Sequence, residues 1–234
     1  MSRLFATFSS EGFKANAIEL DDKSIIIEKA DADIDADGAN GQSGARAAYM
    51  VGDRGTEFLA NGGMGMVGGR VVGIKSWYKD IVLLDPNGEP RLFGNVIASK
   101  TAYRWPTKKE DTLDAYIDSE TIPYICVPPE IIAGVKGYVM GCKCIVRHRV
   151  SGKTASGMVA DVGPRRKIGE ISIEMARELG LNPSPRTGGE DKPLLDYFIF
   201  PNIHARIGGD LVPMLSSKGN YIYPQVELPS SFTL

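Results

Sequence analysis

The chain is 234 residues long, and its 27 lysines and arginines against 29 aspartates and glutamates leave a net charge of −2. That length supports one substantial core, while so even a balance excludes the strong field that attracts nucleic acid or an anionic membrane. No apolar run reaches the ~20 residues needed to span a bilayer. The polar opening from Met1 to Ser10 does not read as a signal peptide. A monomer is expected, with neither nucleic acid nor membrane as partner. Three cysteines leave at least one thiol unpaired. Cys142 and Cys144 alternate along a strand pattern, with Cα atoms about 6.5–7 Å apart, the limit for an unstrained disulfide. Buried free thiols are therefore expected. His148 and His204 are the only histidines, so no zinc site is expected.

In chain order, residues 1–30 alternate weakly, with 24–28 as a short strand. Residues 31–41 read as an acidic turn, in which Asp33, Asp35, Asp37 and Gly38 fit the opening of a calcium loop. Gly44 stands where that loop needs a bidentate glutamate, which excludes an EF-hand. Three uses stay open for Asp33, Asp35 and Asp37: a solvated turn, a lining for a cationic substrate, or calcium binding outside that motif. No other cofactor is expected. Gly63-Met64-Gly65-Met66-Val67-Gly68 matches the dinucleotide glycine pattern, but the residues from Arg70 onward are strand-like where a helix is required. A hairpin or mobile loop is expected there.

Residues 81–84 and 91–93 make a second hairpin about the turn at 85–88. Trp77 and Trp105 are the large aromatics, able to stack on a sugar ring but more often used in a core or rim. Asp118 and Glu120 fall on one side of an extended backbone, ahead of a buried strand at 123–127. A turn-bonding role for either is as natural as a functional one. Residues 137–150 and 153–161 form a hairpin about Ser151-Gly152. Short strands dominate, and the class is mainly β.

The most informative stretch is 155–185. Residues 155–160 are a buried strand, and Asp161 lies where that strand runs into a Gly163-Pro164 turn. Ser172 is an N-cap for a helix with Ile173, Ala176 and Leu179 on one face, stopped by Gly180 and Pro183. Asp161 and Glu170 thus bracket a strand-turn-helix link. Asp161-Val162-Gly163-Pro164, Ile168-Gly169-Glu170-Ile171-Ser172 and Met175-Ala176-Arg177-Glu178-Leu179-Gly180 resemble the catalytic segment of glycoside hydrolase family 75, the fungal-type chitosanases. The likeness continues upstream at 116–124 and downstream at 196–201, covering about the second half of the chain. The same skeleton resembles the six-stranded double-psi β-barrel.

That resemblance implies one domain over 1–234, with the barrel core at 111–215, additional strands and one or two short helices. It implies a secreted, endo-acting, inverting hydrolase of β-1,4-linked chitosan, with Asp161 and Glu170 as the catalytic pair. Asp35, Asp37, Asp118, Glu120, Tyr124 and Trp105 are then the candidates for contact with the polysaccharide. Asn202 departs from the pattern, which favours glycine after Pro201. Cleavage of a glycoside needs one carboxylic acid to protonate the leaving oxygen and one carboxylate to activate water. Glu170, flanked by Ile168, Gly169 and Ile171, is expected to be the acid, because apolar burial raises a carboxyl pKa. Asp161 is expected to be the base, kept ionised by Arg165, Arg166 and Lys167. A murein-cleaving barrel enzyme and a non-catalytic carbohydrate-binding barrel are the alternatives. A Ser-His hydrolase is disfavoured, because no Gly-x-Ser-x-Gly elbow occurs.

Overall fold

The computed structural model describes residues 2–224 apart from positions 11 and 45. Eight strands form the main sheet. β1 (Arg3–Ser10), β2 (Phe13–Glu19) and β3 (Ile25–Asp35) run as an antiparallel meander. β4 (Tyr124–Val127), β5 (Cys142–His148), β6 (Thr154–Val162), β7 (Glu170–Ser172) and β8 (Glu190–His204) follow. Pairing runs β3-β7-β4-β6-β5-β8 and returns to β3, which closes a six-stranded barrel and leaves β1 and β2 outside the ring. The β7–β3 and β6–β4 pairs are parallel, and the other four are antiparallel. The mainly β class and the six-stranded barrel core expected from the sequence are present. Among the described residues three short helices accompany them: α1 (Tyr78–Ile81), α2 (Pro129–Gly134) and α3 (Ile173–Leu179). None is long and apolar enough to cross a membrane.

Closure explains the buried strands. All four residues of β4 are buried, because β6 and β7 pair with it on either side and the barrel interior takes its inward face. Ile25, Ile27, Ile125, Met158 and Ile171 are fully buried in one cluster, each contributing about 1.5–3 kcal/mol of transfer free energy. The local signals around α3 act as expected. Ser172 Oγ accepts a hydrogen bond from Met175 N at 3.1 Å, and Gly180 ends the helix at φ +75°. Met64–Val67 and Arg70–Gly73 pair as a hairpin, so the glycine pattern there is turn chemistry. All three cysteines are free and buried, as expected.

Two expectations are corrected. Residues 31–35 are not a turn: they continue β3, where Ala32 pairs with Glu190 and Asp33 with Glu170. Ala30, Asp31, Ala32 and Ile34 are buried, and the aspartates among them hide the strand in the sequence. The barrel core is also not confined to 111–215, since β3 closes the ring from the N-terminal part. Asn202 has a φ of +65°. Glycine and asparagine are the residues that enter this region most readily, so the departure from glycine there preserves the backbone.

Candidate active site

The order of strands in the ring places four chemically capable side chains side by side. β3, β7, β4 and β6 are consecutive neighbours and carry Asp35, Glu170, Cys126 and Asp161 respectively. Cys126 is the register partner of both Glu170 and Asp161, while Ser172 pairs with Asp35. A bulge in β6 between Val159 and Asp161 shifts the register just before Asp161, the kind of irregularity that re-aims a side chain.

Hydrogen bonds tie the group together. Asp35 Oδ2 accepts from Cys126 Sγ at 2.9 Å and lies 3.1 Å from Tyr124 Oη. Asp35 Oδ1 accepts from Asp37 N at 2.9 Å, and the Asp37 carbonyl oxygen lies 2.9 Å from Tyr124 Oη. Asp161 Oδ1 accepts two backbone bonds, from Ala102 N at 2.9 Å and Val162 N at 2.7 Å. Glu170 reaches so close to the turn that a Cβ on Gly163 would stand 2.7 Å from its Oε2. A side chain at Gly163 would therefore displace that carboxylate.

Burial dominates the electrostatics. It pushes Glu170 up to about 8, with help from the charge of Asp35. Asp37 and Asp161 are raised well above the usual carboxylate range, first by burial and next by Asp35. Asp35 itself is raised by burial, against the bonds it accepts from Cys126, Asp37 and Tyr124. Glu57, also buried, is pushed up to about 7. Lys167 pulls Glu170 down, but by less than burial and Asp35 push it up.

The expectation that Arg165, Arg166 and Lys167 keep Asp161 ionised is corrected. Arg165 lies 3.7 Å from Glu130, the Arg166 backbone N–H is also directed at Glu130, and Lys167 pairs with Asp33. What favours the ionised form of Asp161 is instead its two backbone donors. Asp33, Asp35 and Asp37 do not share one calcium loop, because Asp33 is engaged by Lys167 on an extended strand.

Of the sequence-derived candidates, Asp35, Asp37, Tyr124, Asp161 and Glu170 come together. Asp118 and Glu120 serve α3: Arg177 pairs with the Glu120 carboxylate and donates to its carbonyl oxygen at 2.8 Å, and Asp118 Oδ1 accepts from Glu120 N at 3.0 Å. Trp105 packs edge-on against Tyr103, centroids 5.9 Å apart, at the border of the core. Cys126 and Glu57 were missed. The two-residue spacing from Tyr124 put Cys126 on the same face of β4, a legible signal, whereas nothing around Glu57 marked it. An open groove of about 880 Å³ is lined by Pro129, Ile132, Tyr138, Val162 and Asn202. Neighbouring strand residues face opposite ways, so Val162 presents that groove on the other side of β6 from Asp161. No protein-family model matches the chain, and no curated protein sequence matches it.

Proposed function

We propose that the protein is a glycoside hydrolase of the family 75 type, cleaving β-1,4 bonds within chitosan with inversion. The observation that carries this reading is a pair of enclosed carboxyls, Asp161 and Glu170, on the two strands that flank β4. Burial raises both, Glu170 to about 8, so that Glu170 holds a proton at neutral pH, while two backbone donors favour the Asp161 anion against that rise. In the reaction, Glu170 gives its proton to the glycosidic oxygen as the bond to the anomeric carbon breaks. Asp161 takes a proton from water, whose oxygen forms the new bond on the opposite face. Asp35, Asp37 and Glu57 surround the pair with acidic groups, an environment suited to a polymer bearing ammonium groups. The test is product sizing after prolonged incubation with soluble chitosan. Shortening by internal cleavage is expected. Intact chitosan alongside cleaved peptidoglycan would move the activity to murein.

A further inference from the structure

We propose that Asp35, Cys126 and Asp161 form a binding site for a thiophilic divalent cation, a class represented by zinc and cobalt(II). One carboxylate oxygen from each aspartate and Cys126 Sγ all lie within 4.8 Å of one another. Zinc bonds oxygen and sulfur at about 2.0–2.3 Å, so two ligands of one ion can stand up to roughly 4–4.5 Å apart. Small side-chain rotations bring these three atoms onto a shared ion. The second observation is Asp37. It is 8% exposed, and its Oδ1 is buried without a hydrogen-bond partner. Asp35 and Asp161 are the charged groups that act on it most, and its backbone is tied to Asp35 and Tyr124. That buried oxygen adds unpaired negative character next to the three donors, though it lies outside the set within 4.8 Å.

The donor set selects the class of ion. Calcium and magnesium take oxygen ligands, whereas a thiolate with carboxylates suits zinc or cobalt(II). Histidine scarcity had argued against zinc, yet here the donors are sulfur and oxygen on barrel strands. Binding breaks the Cys126 S–H bond, forms a metal–sulfur bond and releases the proton to solvent. A bound ion also occupies the carboxylate of Asp161, so metal and chitosan cleavage exclude one another.

The experiment is a titration of the full chain with cobalt(II), followed in the near ultraviolet, where a cobalt–thiolate charge-transfer band reports sulfur ligation. Thermal melts with and without zinc run beside it. One cobalt per chain with that band, and a melt raised by zinc, are expected. Cys126→Ser abolishes the band. Asp37→Asn, which keeps shape, weakens binding by at least the roughly 10–100-fold typical of a supporting metal-site partner. Absence of the band in the wild type, with a melt unmoved by zinc, overturns the site. So does a band that survives Cys126→Ser. No polysaccharide is present, so metal binding without chitosan cleavage, or the reverse, tells the failure of one proposal from that of the other.

Discussion

Two buried acidic regions of this barrel are treated in opposite ways. The Asp196 side chain on β8 is fully buried, and Arg147 and Arg149 bond it at 2.8 and 2.6 Å, with Lys29 N at 3.2 Å. Burial raises its pKa, but the two arginines and the backbone donor outweigh that and hold it below the usual value. In the other region burial raises Asp35, Asp37, Asp161 and Glu170 together, and Lys167, the cation that acts on Glu170, does not offset the rise. A neutralised buried charge maintains structure. A group of buried carboxyls whose burial is not offset costs stability, and such groups concentrate where proton transfer or ligand binding is the task.

The sharpest way to break the comparison is to exchange the effects of mutation. Glu170→Gln and Asp161→Asn should each lower turnover of chitosan by about 10²–10⁴-fold, as for a general acid or base. The double variant should be little worse than the worse single one. Asp196→Ala should instead leave turnover per folded molecule near wild type. It removes the acceptor of two arginine bonds and of the Lys29 N–H, at a cost of about 1–3 kcal/mol. The cost stays in that range because the arginine side chains, 49% and 35% exposed, remain solvated. Turnover and chemical denaturation on the same samples separate the two cases.

The pH dependence should also take opposite signs. Glu170 has a folded pKa of about 8 against a reference of 4.5, so the native state retains a proton that the unfolded chain has lost. Its contribution to stability falls as pH rises across that window. At ~1.4 kcal/mol per unit, Glu170→Gln should gain a few kcal/mol over wild type near the top of the window, in melts compared from acid to alkaline buffer. Turnover should fall as pH climbs through that value and the acid loses its proton. Asp196, with a lowered pKa, stabilises above its unfolded value and loses that contribution as pH drops through the folded one. The smallest effect is reserved for Asn202→Gly, since both residues enter the φ of +65° found there. It should change stability by no more than about 0.5 kcal/mol, read from the melting temperature.

Where the structure agreed with the sequence, the determinants were local. Ser172, Gly180 and the Ser151-Gly152 turn announce their elements within a few residues, and Asp161 and Glu170 flank one short link. What stayed hidden depends on closure. The acidic half of β3 is a strand because β7 and β8 bind it on either side, a partnership between residues more than a hundred positions apart. The cations after Asp161 looked decisive in sequence, yet the turn directs them to Glu130 and Asp33. Proximity along the chain misled there, because charge acts through space. Cys126 was seen only as a thiol, since its place between Asp161 and Glu170 exists only once β4 enters the ring.

The most direct measurement of the contrast is a carbon-detected NMR titration of the side-chain carboxyls in the intact protein. The account predicts that Glu170 titrates near 8, while Asp196 titrates below the ordinary aspartate value of about 3.9. A Glu170 that titrates near the ordinary glutamate value of about 4.3 would contradict it, because the carboxyl would then carry no proton to give at neutral pH.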